Sequence, residues 1–402
     1  MTIQHFDDHI EHATFREGWV EFMKELPWVA EYPPGNDRVI KALGRATFDL
    51  VVEDEMVREG MRQLLSYAWE RRIMGPSYTV NLWRSALQHE LQDESGFPTQ
   101  YIDNPTHWRK AICDRFDDAQ SFAQLAQNMR RPLQSSMPTR YATVSLASHV
   151  FYRSAARVLD VGSSNTHGLV SLQTCDFSPI KVLRKPKHQG GMLRSLRAEQ
   201  IVNHLLATPA TTKVLASDAV NRDHAQRWIK SCSIRPEKLL DAEFMDAYNR
   251  HEALACGIDF WRGNLACSED AVRLRRQLRG RKFHVVSYIT VANQLTEEEH
   301  ETLSATAREH LEDEGMELMA DFVRPHPDDP TRLEFFSKWF NNLWLFRVLA
   351  RFKSDEQRIW YELGAWDTSR CERLYLPTYS LLRAGLVQHP GYNPSRSKTS
   401  AL

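Results

Sequence analysis

The sequence predicts an α/β protein with a doubly wound, mainly parallel sheet, preceded by an all-helical N-terminal domain. Three observations predict it. Up to about residue 150, apolar side chains recur at a helical period between Pro- and Gly-rich breaks. From Ala156 onward, short apolar runs alternate with amphipathic stretches, the grammar of strands and crossover helices. The first of those runs ends in a small-residue turn, Asp160-Val-Gly162-Ser-Ser-Asn165-Thr-His-Gly168.

The helical part comes first. Phe15, Trp19, Phe22 and Met23 mark one face of a helix that ends before Pro33-Pro34-Gly35. Val51, Val52, Met56, Met61, Leu64, Leu65 and Trp69 predict a second long helix running to Gly75-Pro76. Amphipathic segments over Val80–Leu91 and Trp108–Met129 follow, and Pro132 and Pro138 close the domain. In the second part, Arg157–Gly162, Lys213–Asp218, Ile258–Trp261, Phe283–Val291 and Glu317–Val323 predict five strands. Helices are expected over Met192–Leu206 and after Thr296, where Glu299 completes a capping box and Gly315 is the natural stop. Phe335, Phe336, Trp339, Phe340, Leu343, Trp344, Phe346 and Leu349 read as a helix apolar on most sides, in an extension over residues 333–388. Residues 389–402 read as a flexible tail.

Composition limits the function. The chain has 402 residues, enough for two or three domains, and 51 basic against 52 acidic side chains leave a net charge of −1. That balance argues against a dedicated nucleic-acid protein, which draws its affinity from excess positive charge. The six cysteines form no CxxC pair, so no metal is expected and the thiols read as small buried hydrophobes of a reducing compartment. The polar, acidic N-terminus and the absence of a long apolar run predict a cytoplasmic protein without membrane association.

The chemistry is expected at the strand ends. Gly162 and Gly168 let backbone approach a ligand, while Ser163 and Asn165 supply polar groups. Asp218, closing the second strand, is suited to ribose hydroxyls, and Asn264, after the third, to an adenine edge. Ser287 and Tyr288 end the fourth strand at the mouth of the sheet. This is neither a phosphate loop with its Lys nor the GxGxxG of a nicotinamide-binding fold, since Ser164 stands where the second Gly belongs.

On these residues, positions 156–323 resemble the class I S-adenosylmethionine-dependent methyltransferases, in a divergent, methyltransferase-like branch. VLDVGSSNTHG matches the motif around the methionine part of the cofactor, and FHVVSYITVANQL the segment near the transferred methyl. The resemblance implies a Rossmann-like cofactor-binding domain over residues 151–332 and S-adenosylmethionine as cofactor. Cofactor-binding roles fall to Gly162, Ser163, Asn165, Gly168, Asp218, Asn264 and Ser287, with Asp176 the alternative to Asp218 at the ribose. The acceptor is expected to be a small or medium organic molecule, with the N-terminal helices selecting it. Tyr288 and His326 are candidates for the base that removes its proton. The basic run with Lys181, Arg184, Lys185, Lys187, Arg194 and Arg197 either holds an anionic acceptor or is a solvated loop. The alternative reading is a catalytically degenerate relative with a partner-binding or regulatory role.

Overall fold

The computed structural model describes residues 13–69, 76–131, 133–134, 138–153, 155–184, 193–219, 222–289, 291, 295–321, 323–335, 346–366, 373–377 and 380–388. The chain divides into two compact units, one built from Met1–Ser135 with Asp223–Arg250, the other from Ser136–Arg222 with His251–Phe336 and Phe340–Leu402. Among the described residues, no helix is long and apolar enough to cross a membrane.

The first unit contains α1 (Ala13–Glu31), α2 (Arg38–Glu53), α3 (Glu55–Trp69), α4 (Pro76–Leu91), α5 (Pro105–Asp117) and α6 (Ala119–Met129). Phe22, Leu26, Leu43, Leu50, Met61, Leu65, Trp83 and Trp108 form its core, and the Trp83 indole donates to Thr47 Oγ1 at 3.0 Å. The expected second helix is two helices, because Asp54 leaves the helical conformation and its carboxylate caps the next helix at Met56 and Val57. Asp118 breaks the Trp108–Met129 segment in the same way, accepting from Ser121 N at 2.7 Å. Val52 and Met56, counted on the apolar face, are exposed at that junction.

The helical unit also takes in α10 (Arg222–Ser233) and most of α11 (Ala242–Ala255), which lie within the α/β part of the sequence. The attachment is polar as well as apolar. Arg84, buried on α4, donates to the carbonyls of Ser231 and Cys232, which end α10, and Gln88 donates to the carbonyl of Ile234. A guanidinium at a helix C-terminus satisfies carbonyls that the helix cannot. A boundary drawn along the sequence near residue 150 does not express this composition.

The second unit is a ten-stranded mixed sheet. Its strands are β1 (Ala156–Val161), β2 (Lys181–Arg184), β3 (Leu193–Arg194), β4 (Thr211–Asp218), β5 (Phe260–Arg262), β6 (Phe283–Ile289), β7 (Leu311–Asp321), β10 (Phe346–Phe352), β11 (Tyr361–Trp366) and β12 (Arg373–Tyr375). A separate hairpin pairs β8 (Val323–Pro325) with β9 (Leu333–Phe335). The order is β3-β2-β12-β11-β10-β7-β6-β1-β4-β5. Its five-strand block β5-β4-β1-β6-β7 is wholly parallel. Counted along the chain those five run 3-2-1-4-5, the doubly wound order of a Rossmann-like core, reversing at β1. Helices α7 (Ala142–Tyr152), α8 (His167–Thr174), α9 (Leu196–Leu206), α12 (Ser268–Leu278), α13 (Glu297–His310) and α14 (Leu381–Gln388) complete the unit.

Strand alternation splits the core. Val158, Val285 and Leu318 pack on one face, Leu159, Val286 and Met319 on the other. Thr296 does cap α13, reciprocally with Glu299. Four expectations are corrected. The chain passes straight from His310 into β7, so Gly315 lies inside a strand rather than ending a helix. Phe346 and Leu349 belong to an antiparallel strand, not a helix: β10 pairs with β7 and β11, its apolar residues are buried on both faces, and its two arginines are paired with Glu362 and Glu317. Trp339, Phe340, Leu343 and Trp344 lie outside the described residues, as does the tail. Lys181 and Arg184 form β2, six strand positions from β1 and so roughly 30 Å from it at the usual strand spacing. Free thiols at Cys113, Cys175, Cys232 and Cys267 are half-buried, but Cys256 is exposed.

Candidate functional site

The turn after β1 is suspended from the end of β4. The amides of Gly162 and Ser163 both donate to the Ser217 carbonyl, at 2.7 and 3.1 Å. The Ser164 amide donates to Asp218 Oδ2 at 2.8 Å. These bonds wind the backbone tightly, with Gly162 at φ +72°, Ser164 at +58° and Thr166 at +66°. Gly162 is required there: a Cβ would add left-handed strain and stand 2.2 Å from Val291 Cγ2. Gly168 is required by contact alone, since its Cβ would lie 2.0 Å from the Tyr141 ring. Helix α8 then opens at His167, its N-terminus at the carboxyl end of β1, where the parallel strand order reverses.

Around this turn, buried polar atoms lack partners among the described residues: Ser164 Oγ, Asn165 Nδ2 and Ser217 Oγ. Asn165 is oriented by its own carbonyl oxygen, which accepts from His167 N at 3.4 Å. A buried unsatisfied polar group costs about 1–3 kcal/mol, so two in the turn and one beside it on β4 suit a polar ligand that satisfies them.

Beneath the turn, Asp160 is fully buried on β1. Tyr141 Oη donates to its Oδ2 at 2.8 Å, and Ser287 Oγ, opposite it on β6, donates to Oδ1. Burial pushes the Asp160 carboxyl up to about 7 against the pull of these two bonds, with the charge of Asp218 adding to the rise. Folded chains therefore hold this proton more tightly than unfolded ones. Stability from this group is greatest near the ordinary carboxyl range and falls as pH rises towards 7, by up to about 4 kcal/mol. Urea unfolding from about pH 4.5 to about pH 8 should show that decline in wild type and lose it in Asp160→Asn. A wild-type-minus-variant difference that rises with pH would contradict the assignment.

The remaining expected residues fall in different surroundings. Asn264 is exposed after β5 and forms a local turn, its Oδ1 accepting from Ala266 N at 3.0 Å. Asp176, the alternative at the ribose, pairs its Oδ2 with His251 Nε2 at 2.8 Å. Tyr288 does not stand at the mouth of the sheet. One residue beyond Ser287, it points to the opposite face, is fully buried and donates to Glu317 Oε2 at 2.7 Å. Burial and then Glu317 hold its phenol well above its ordinary value, so it does not serve as a base. His326 follows β8, and its Nδ1 accepts from Asp328 N at 3.3 Å. That bond puts the neutral ring's proton on Nε2, making it a donor. Of the basic run, Arg194 is paired with Glu199, and Lys185 and Lys187 lie outside the described residues. With Lys181 on β2 and Arg194 on β3, at the far edge of the sheet, the described part of the run does not border the turn.

Sequence reasoning missed His251. With Nε2 committed to Asp176, its Nδ1 carries the basic lone pair, the orientation a carboxylate imposes on a catalytic imidazole. Its ring centre is 5.7 Å from that of His167, the first residue of α8. Burial, and then His251, pull His167 down to about 4, keeping it neutral. No local motif joins Asp176 to His251, which are 75 positions apart.

No family model matches the chain, and no curated protein matches it. Several solved methyltransferase structures are similar to it. One is an O-methyltransferase family protein from Burkholderia thailandensis, at 14% identity and a TM-score of 0.26, covering 64% of this chain. A second is an amino pentose methyltransferase from Micromonospora echinaspora solved with S-adenosylmethionine, at 16% identity and 0.25, covering 55%. A third is an S-adenosylmethionine-dependent methyltransferase from Clostridium acetobutylicum, at 8% and 0.22, covering 56% of this chain and 71% of its own. This chain spans 58% of the first and 63% of the second. Likeness at this level does not decide chemistry, which rests on the turn and its neighbours.

Proposed function

We propose that the α/β unit binds S-adenosylmethionine and transfers its methyl group to a small or medium organic acceptor. The observation that carries this reading is the cluster of buried polar atoms, unpartnered among the described residues, in the Gly162–Gly168 turn and at Ser217 beside it, where the strand order reverses. S-adenosylmethionine supplies a methyl group already activated by its sulfonium, so the protein's work is positioning and proton removal. Ser164 Oγ, Asn165 Nδ2 and Ser217 Oγ hold the methionine end beside Ser163, and Gly162 and Gly168 let the turn close against Val291 and Tyr141. Asp218 accepts from the ribose hydroxyls while bracing the turn through Ser164. Asn264 lies on the adenine side, and Ser287 holds Asp160 under the turn. An acceptor that must lose a proton gives it to His251 Nδ1, steered by Asp176.

Thermal unfolding with and without S-adenosylmethionine and its demethylated product tests the reading. Ligand at about 100 times its dissociation constant should add roughly 2.7 kcal/mol of stability. Asp218→Ala should lose that gain while remaining folded. No stabilisation at millimolar ligand would retire the enzyme reading in favour of a degenerate, partner-binding relative.

A further inference from the structure

Residues 273–282, RLRRQLRGRK, hold six cations and no acid. The run covers the exposed side of α12 and the loop that enters β6, and Arg276, Arg279 and Arg281 stand in solvent. Folding adds to it the end of α13 and the turn after β10. Together they line a cleft of about 690 Å³ that includes Arg275, Lys282, Arg308, Lys353 and Arg358, with Glu309 as its one carboxylate. Since β6 and β7 begin here and β10, antiparallel to β7, ends here, the cleft lies at the opposite end of the sheet from the Gly162 turn.

Some of this charge is compensated. Arg275 pairs with Glu309, and Lys353 with Asp313 at 3.1 Å. Arg308 and Arg358 have no ion pair among the described residues, and Lys282 Nζ donates only to the Glu309 carbonyl. Two further features border the cleft. His310, 3% exposed, lines the cleft; its ring is held at the Arg281 backbone, and its buried Nε2 has no hydrogen-bond partner among the described residues. Arg358 adopts φ +56°, a left-handed conformation that side chains other than Gly and Asn adopt reluctantly. Concentrated cations in a concave site repel one another unless an anion joins them.

We infer that this cleft is a second binding site, for a compact anion carrying two or more phosphate groups. Guanidinium forks match phosphate oxygens two at a time, and arginine predominates here. The volume falls in the range of small-molecule sites. A long nucleic-acid strand is disfavoured by the acidic run Glu312-Asp313-Glu314 at the start of β7 and by the chain's net charge of −1.

The test is calorimetric titration of the full chain with inorganic tripolyphosphate at low salt. One equivalent should bind, and Arg308→Ala/Arg358→Ala should weaken it by about 10- to 100-fold. Lys181→Ala, at the far edge of the sheet, should leave affinity unchanged. Circular dichroism checks that each variant is folded, and the exposed Arg281→Ala provides a milder second loss. Failure of tripolyphosphate to bind, equal affinity in the folded double variant, or a single-stranded RNA that binds and is not displaced by tripolyphosphate would each overturn the inference. None of these readouts depends on S-adenosylmethionine.

Discussion

Arg351→Met is expected to destabilise the α/β unit by about 3–5 kcal/mol, the largest stability loss of any single substitution considered. Arg351 on β10 lies opposite Glu317 on β7, and the two side chains are 7% and 3% exposed. The guanidinium donates to both carboxylate oxygens at 3.0 Å, while Tyr288 and Ser304 each donate to Oε2 at 2.7 Å. Its cationic carbon also lies 4.4 Å from the Trp360 ring centre. Removing the arginine leaves a carboxylate in an apolar core with two hydroxyls to hold it. Replacing both partners, Glu317→Leu with Arg351→Met, removes the stranded charge and should recover most of the loss. Urea unfolding of the two single variants and the double measures this. Singles that cost less than about 1 kcal/mol would place the pair in the class of solvent-screened bridges instead.

Gly162→Val should abolish stabilisation by S-adenosylmethionine at ligand concentrations that saturate wild type. The backbone at φ +72° disfavours any β-branched side chain, and Val291 occupies the space a Cβ needs. The direct strain is only about 1–2 kcal/mol, because the turn sits at the end of the sheet rather than in its core. Its geometry, however, depends on the two amide bonds to the Ser217 carbonyl and the one to Asp218. A turn that shifts to relieve Val291 must break some of them, and the polar cluster around Asn165 loses its arrangement. The discriminating measurement is the ligand-induced shift in unfolding temperature, compared between variant and wild type. A full shift in the variant would move cofactor binding away from this turn.

Much of the core was legible because buried parallel strands and amphipathic helices write short-range patterns. The apolar runs at 157–162, 213–218 and 283–291 became β1, β4 and β6, and Thr296 with Glu299 formed the helix cap they announce. The small-residue turn was legible for the same reason: left-handed backbone selects its residues locally. The aromatic stretch was not. A strand covered on both faces and a helix buried on all sides are both apolar throughout, so periodicity cannot separate them.

The sequence by itself determined the local matters: where strands and caps form, and where the chain turns tightly on small residues after β1. The tertiary structure alone decided which distant groups meet. It moved Lys181 to the far edge of the sheet, joined residues 223–250 to the helical unit, and paired Asp176 with His251. It also turned Tyr288 into the core while Ser287 faced Asp160, and gathered the 273–282 cations with Arg308 and Arg358 into one cleft. The reason is physical. Backbone conformation is set by neighbours along the chain, whereas a side chain's charge, tautomer and chemistry are set by whatever the fold packs against it.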